Sequence, residues 1–166
     1  MRHIIAILLQ NEAGALGRVA DLFSARGYNI ESLSVAPTDD ATVSRLTLVT
    51  KGSDAVIQQI VNQLNRLIDV VSVDDMTTGE HLERELALLK VKVRYGQADR
   101  VRGLVVRSGG RVLDPAPEGF ILELTASEGE INELVSQLEG QAEILEVVRS
   151  GVLGIGRVTR SLEVVQ

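Results

Sequence analysis

The fold is decided by residues 9–19, which read Leu9-Gln10-Asn11-Glu12-Ala13-Gly14-Ala15-Leu16-Gly17-Arg18-Val19. An apolar run ends here at a turn of small and polar residues, and an amphipathic helical pattern begins directly after it. The preceding run, His3 to Leu9, is nearly continuous, as expected for a central strand that is buried on both faces. We name residues 11–16 the elbow and predict a strand, a turn and a helix in that order.

The first half of the chain predicts the element order β-α-β-β-α-β, which is the ferredoxin-like arrangement. Apolar residues recur at helical spacing after the elbow, and Gly27 supplies the glycine that commonly ends a helix. A turn at Pro37 joins two strands into a hairpin, and a second amphipathic helix begins near Ser53. The strands are predicted at residues 3–9, 29–35, 44–50 and 70–73.

The second half repeats this order without the chemistry of the elbow. A polar connector at residues 77–83 separates the copies, so we predict an N-terminal domain at 1–77 and a C-terminal domain at 78–166. Residues 151–166 show no stable period and are predicted to form a tail. The predicted fold class is α+β, with two tandem ferredoxin-like βαββαβ domains. The strands of the second copy are predicted at residues 86–94, 111–113, 119–125 and 144–148.

The composition excludes several classes of function. The 166 residues include no cysteine, only two tyrosines and two phenylalanines, and a net charge of −6. Disulfides, thiolate metal sites and a nucleic-acid surface are therefore not expected. Lys90 and Lys92 alternate with apolar residues, which is typical of the solvated face of a strand. No apolar run approaches the roughly 20 residues of a membrane helix, so we expect a cytoplasmic protein that binds neither membrane nor nucleic acid.

The elbow has the features of a site for a small anion. The first turn of a helix presents N–H groups without intrahelical partners, and a carboxylate can accept hydrogen bonds from them. Gly14 permits close approach to the backbone, and Ala13 and Ala15 leave room beside it. Asn11 has two interpretations, because its amide could face a ligand or could cap the helix.

The second strand is predicted to form an edge of its sheet, and residues 31–35 carry neither proline nor lysine to prevent pairing with another chain. Each domain, at roughly 75 to 80 residues, is also small for independent stability. We therefore expect a homodimer in which Asn29 and Ile30 of one chain approach the elbow of the other. Asn29 could alternatively be a loop residue after the helix that ends at Gly27.

Catalytic and metal-binding patterns are weak. His3 lies at the start of a strand and His81 lies in the connector, so neither a shared metal nor a nucleophile pair is indicated. The aspartate pairs at residues 39–40 and 74–75 are interpreted as turn formers. No catalytic residue and no metal site are predicted.

Four blocks of sequence carry a family resemblance. They are Asn11-Glu12-Ala13-Gly14-Ala15-Leu16, Arg26-Gly27-Tyr28-Asn29-Ile30-Glu31-Ser32-Leu33, Val35-Ala36-Pro37-Thr38 and Arg149-Ser150-Gly151. These blocks closely resemble the small, regulatory subunit of acetolactate synthase (acetohydroxyacid synthase), and the resemblance runs nearly end to end. It implies an N-terminal ACT domain, a C-terminal ACT-like domain and a dimer whose paired ACT sheets bind a feedback amino acid.

The resemblance also implies partners and a role. The small subunit in that family has no active site of its own; it binds and activates the catalytic subunit and confers inhibition by valine in branched-chain amino-acid synthesis. Thiamine diphosphate, magnesium and FAD would belong to the catalytic subunit, with no cofactor on this chain.

The effector site implied by the resemblance has two groups of residues. The first group surrounds the carboxylate and side chain of the amino acid and comprises Asn11, Ala13, Gly14, Ala15 and Leu16. The second comprises Asn29 and Ile30 from the partner chain, with Val35 and Ala36 lining or supporting the pocket.

Three other interpretations stay open. The chain could be a stand-alone ACT protein that senses an amino acid and regulates transcription or another enzyme by protein contact, although no helix-turn-helix pattern is visible. It could be a small enzyme of the acylphosphatase kind, although Glu12 stands where a phosphate cradle would need a positive charge. It could also be a purely structural dimer.

Overall fold

The computed structural model describes residues 1–116 and 119–157. The chain forms two compact units. Unit 1 contains residues 1–82 together with the described residues 152–157, and unit 2 contains residues 83–151. This division differs from the one predicted after residue 77, because the chain continues in unit 1 to Leu82 and returns to it at Val152.

Unit 1 has the predicted βαββαβ order. Its antiparallel sheet has the strand order β2-β3-β1-β4, so β2 lies at an edge as predicted. Among the helices that the structure describes, none combines the length and apolar content needed to span a bilayer. The elements are β1 (Arg2–Gln10), α1 (Ala15–Ala25), β2 (Ile30–Pro37), β3 (Val43–Lys51), α2 (Asp54–Leu64) and β4 (Val70–Asp75).

The central strand β1 is buried on both faces, which confirms the prediction from its apolar run. Every residue from His3 to Leu9 is at most 5% exposed. One face packs against α1 and α2 in a cluster that includes Ile5, Ile7 and Phe23. Because β1 is fixed on both faces, the elbow that follows it starts from a rigid position.

Unit 2 repeats the same order, and its antiparallel sheet has the strand order β6-β7-β5-β8. Its last helix, α4, begins with a capping box between Ser127 and Glu130. β6 extends further than predicted and includes Pro115, which an edge strand tolerates because one of its sides carries no ladder. The elements are β5 (His81–Val93), α3 (Ala98–Arg107), β6 (Arg111–Ala116), β7 (Gly119–Ala126), α4 (Glu128–Leu138) and β8 (Ala142–Arg149).

The predicted tail contains a further strand, β9 (Leu153–Gly156), which the sequence pattern did not predict. Val152 joins Ile4, Ala6, Val49 and Met76 in a buried cluster of unit 1 separate from the helix-packed one. The N–H of Val152 donates to Ser32 Oγ at 2.8 Å, and Arg45 donates to the carbonyl of Gly154 at 2.8 Å. The segment after unit 2 therefore completes the core of unit 1.

We predict that Gly154→Ala destabilises unit 1 by about 1 kcal/mol, because the ends of the buried Met76 and Ile4 side chains must shift to admit the added methyl group. A Cβ at this position would lie 2.5 Å from Met76 Cε and 2.8 Å from Ile4 Cδ1. Urea unfolding measures the change. The control is Gly17→Ala, whose Cβ would meet nothing within 4 Å. This helical substitution should be neutral or slightly stabilising. Equal stabilities for the two variants would contradict the packing argument.

Candidate functional site

The elbow connects β1 directly to α1 through a left-handed backbone at Gly14. This residue is the N-cap of α1 and has a φ of +89°. In this left-handed region a residue with a Cβ is sterically strained, whereas glycine is not. No side chain caps the helix. Glycine allows the chain to turn into the helix but has no side chain that could accept a hydrogen bond. The first N–H groups of α1 therefore have no side-chain cap.

Several N–H groups of the elbow and of the adjoining Gly17 have no backbone acceptor. The Asn11 N–H donates to Thr42 O at 2.7 Å, and the Ala15 N–H donates to Glu12 O at 3.2 Å. The first helical bond runs from Arg18 N–H to Gly14 O at 3.0 Å. Within the described residues, the N–H groups that take no backbone acceptor here are those of Ala13, Gly14, Leu16 and Gly17. These groups form a cluster of unsatisfied donors at the positive end of α1.

Asn11 does not cap α1. Its side-chain Nδ2 donates to the carbonyl of Ala41 at 3.0 Å, in the loop before β3. The interpretation of Asn11 as a helix cap was therefore wrong. The amide is instead oriented by the hairpin loop, which leaves its Oδ1 as an acceptor beside the elbow.

A cavity of about 220 Å³ opens beside the elbow. This is smaller than the roughly 300 to 1,000 Å³ of sites for drug-sized ligands, so it suits a small metabolite. Five of the predicted site residues line it: Asn11, Ala15, Leu16, Val35 and Ala36. Val35 is 43% exposed on the edge strand, so the cavity lies beside an open sheet edge.

Four predicted site residues do not line this cavity in one chain. Ala13 and Gly14 belong to the adjoining turn. Ile30 and Asn29 lie at the opposite end of β2, because Ile30 pairs with Thr50 whereas Pro37 pairs with Ser44. The carbonyl of Asn29 accepts a hydrogen bond from Thr50 Oγ1 at 2.6 Å. A role for this pair at the cavity therefore requires a second chain.

The cavity is also lined by residues outside the predicted effector set: Leu9, Gln10, Glu12, Pro37 and Ser44. Leu9 and Ser44 are register partners in the β1–β3 ladder. The alternation of β3 would have placed Ser44 on the same face as the buried Leu46 and Leu48. Glu12 brings a carboxylate to the rim, where it can attract a ligand cation.

An ion pair braces the other side of the elbow. Arg18 of α1 donates through Nε to the carboxylate of Asp69, which is only 6% exposed. The carbonyl of Asp69 accepts from the Gln10 N–H at 2.8 Å. The hydrogen bond between the two side chains raises the pKa of Arg18 and lowers the pKa of Asp69. Both remain charged at neutral pH.

Unit 2 contains a larger hollow, of about 340 Å³, whose lining includes Lys90, Lys92 and Asp114. Lys90 is exposed and already pairs with Glu146 at 3.1 Å, as expected for a solvated sheet face. This hollow contains no helix terminus. Over the described parts of the chain, no group of three or more His, Asp or Glu side chains is placed to hold a metal ion.

Comparison with known proteins accounts for both units. The family described as the AHAS small subunit-like ACT domain matches residues 5–72, and the family described as the small subunit of acetolactate synthase matches residues 84–158. The chain belongs to the acetolactate synthase small-subunit family. The two matched segments correspond to the two βαββαβ copies.

Individual relatives agree with this family. The chain is 43% identical over 157 residues to the acetolactate synthase isozyme 3 small subunit of Escherichia coli, covering 95% of this chain and 96% of that one. It is 41% identical to the acetolactate synthase small subunit of Aquifex aeolicus, covering 94% and 81%. The crystal structure of the Thermotoga maritima acetolactate synthase small subunit superposes with a TM-score of 0.84 at 32% identity, covering 95% and 98%.

The Arg18–Asp69 pair predicts an acid-sensitive contribution to the stability of unit 1. Folding lowers the pKa of Asp69 below its ordinary value of 3.8. The stabilisation is therefore fully present above that value and is lost as the pH falls through the lower folded pKa. We expect Asp69→Asn to lower the melting temperature at neutral pH. On acidification, the melting temperature of this variant should fall less than that of the unaltered protein. Melting curves from about pH 6 to about pH 2 measure this, and parallel curves for both proteins would contradict it.

Proposed function

We propose that this chain is the regulatory subunit through which valine inhibits acetolactate synthase in branched-chain amino-acid synthesis. It binds the catalytic large subunit, raises its activity and carries the valine site at the elbow. The observation that carries the proposal is the open N-terminus of α1 beside a small, largely apolar cavity. The thiamine diphosphate, magnesium and FAD of the reaction belong to the catalytic subunit.

The elbow can bind the two charged ends of an amino acid separately. The carboxylate accepts hydrogen bonds from the unpartnered N–H groups at the positive end of α1. The ammonium group donates to Asn11 Oδ1 and is attracted by Glu12, which lines the cavity. The charge of Glu12 also contributes to the raised pKa of Arg18, whose Nε donates to Asp69.

The apolar lining supports a short aliphatic side chain. Leu9, Leu16 and Val35 line the cavity together with Pro37. Burying the isopropyl group of valine against them removes apolar surface from water, which stabilises the complex by roughly 25 cal/mol for each Å² buried. The side chain of serine buries less apolar surface against these residues than that of valine, so we expect serine to bind more weakly.

Two copies of the chain complete the site. β2 is an edge strand, and a second β2 can pair with it antiparallel about a two-fold axis. An axis near Leu33 would place Ile30 of the second copy opposite Ala36, and Asn29 next to it beside the cavity. Each homodimer would then hold two sites, and each site would combine the elbow of one chain with Asn29 of the other.

Inhibition requires that valine prefer one arrangement of the dimer over another. A ligand that binds two states equally shifts neither. Because valine would contact residues of both chains, its affinity depends on their relative position. Valine then favours the dimer arrangement that binds the catalytic subunit in its less active form. Because the coupling is reciprocal, binding of that form of the catalytic subunit raises the affinity for valine by the same factor.

We predict that Gly14→Asp abolishes valine inhibition and retains activation of the catalytic subunit. The substitution places a carboxylate where the ligand carboxylate must bind and strains a residue with a φ of +89°. The measurement is the activity of the reconstituted holoenzyme with increasing valine, where we expect the inhibitory concentration to rise at least tenfold. The control is Gly96→Asp in unit 2, which has a φ of +72° and open space around its Cβ. Unchanged valine inhibition by Gly14→Asp would contradict the site.

A second prediction tests the shared site. Asn29→Ala should weaken valine binding about five- to tenfold, since one net hydrogen bond contributes about 1 kcal/mol. Calorimetric titration measures the affinity, and Asn62→Ala on the exposed face of α2 serves as the control.

Mixed dimers of Gly14→Asp and Asn29→Ala chains give the decisive form of this test. One of their two sites combines both defects, whereas the other combines a normal elbow with a normal Asn29. We therefore expect one site per mixed dimer with the affinity of the unaltered protein. Mixed dimers without any such site would show that a single chain supplies both groups.

A further inference from the structure

Arg18 occupies an unusual position for a cation. It lies in the first turn after the N-cap of α1, where the helix dipole is positive and an acidic residue is normally stabilising. The first turn of α1 carries no acidic residue. The corresponding helix of unit 2, α3, has an acidic residue, Asp99, beside Arg100 in its first turn. Helix stability alone therefore gives no reason for Arg18.

The guanidinium of Arg18 lies directly against the elbow. A Cβ built on Gly14 would be 3.0 Å from Arg18 Nη1. The side chain cannot easily move away, because its Nε donates to the nearly buried carboxylate of Asp69. Asp69 in turn holds Gln10 through its carbonyl, so the pair fixes the backbone on both sides of the elbow.

The ion pair and the cavity lie on different sides of this turn. Asp69 immediately precedes β4, which neighbours β1 on the side away from β3. The strand residues of the cavity come from β1, β2 and β3. Arg18 is therefore placed to act on the ligand through the elbow backbone and through its charge, without lining the cavity.

We propose that Arg18, held by Asp69, is a positioning residue that makes the elbow select a carboxylate. The pair holds the unpartnered N–H groups in place, and the guanidinium adds positive potential to the helix terminus. Glu12 supplies negative potential at the rim and contributes to the raised pKa of Arg18. The opposite charges around the turn match a zwitterionic α-amino acid. This inference rests on the proposed function, because it concerns the same site.

The test compares valine with valinamide, which retains the ammonium and the isopropyl group and lacks the negative charge. Binding of each ligand to the full-length chain is measured by calorimetry for the unaltered protein, Arg18→Gln and Asp69→Asn. Asp69→Asn preserves the size of the buried side chain, so it provides a second variant if Arg18→Gln folds poorly. The controls are Arg111→Gln and Glu123→Gln, which break a pair of the same chemistry in unit 2, with Arg111 Nε 2.5 Å from Glu123 Oε1.

We expect the unaltered chain to bind valine more tightly than valinamide. Arg18→Gln and Asp69→Asn should each reduce this ratio of affinities about tenfold, as for the loss of a charge-assisted interaction. The controls should retain the full preference. Equal weakening of both ligands would show that the pair only stabilises the fold and would overturn the inference. An unchanged ratio of affinities in both Arg18→Gln and Asp69→Asn would overturn it too. In either case, valine binding by the unaltered chain would still support the proposed function. If the unaltered chain did not bind valine, both the proposed function and this inference would be overturned.

Discussion

At Gly14 the backbone has a φ of +89°, which allows α1 to begin at Ala15 directly after β1 ends at Gln10. Everything at the site depends on this turn. It leaves the first N–H groups of the helix without acceptors, and it brings them beside the edge of the sheet. The burial of β1 on both faces fixes one end of the turn, and the Arg18–Asp69 pair fixes the other. A rigid set of free donors is the arrangement that binds an anion with little reorganisation.

The two copies of the fold differ at the start of their first helix. Unit 2 also has a left-handed glycine, Gly96, before its first helix, yet that helix begins with Asp99 in its first turn. A carboxylate at this position is stabilised by the positive end of its own helix. The same topology therefore leaves the start of the first helix without an acidic residue in unit 1 and places a carboxylate there in unit 2. The first family match ends at residue 72 and the second begins at residue 84, on either side of the point where the chain passes from unit 1 to unit 2.

Local sequence patterns predicted most of the fold. The apolar run of β1, the helical spacing after the elbow and the glycine at position 27 each depend on near neighbours in the sequence, and each was found in the structure. The return of β9 to unit 1 was missed because Gly154 and Gly156 interrupt the alternation of a strand. Gly154 is explained only by the close approach of Met76 and Ile4, which are distant in sequence.

The same distinction holds for the candidate site. The elbow was evident because its residues are contiguous in the sequence. The orientation of Asn11 depends on a hydrogen bond to Ala41, and the position of the Arg18 side chain depends on its ion pair with Asp69. Neither partner could be identified from spacing. The central claim is that the free N–H groups of the elbow receive the carboxylate of valine. Amide NMR of the chain during a valine titration tests this most directly. The account predicts saturable shifts concentrated at the amides of Ala13, Gly14, Leu16 and Gly17, and saturable binding with those amides unmoved would contradict it.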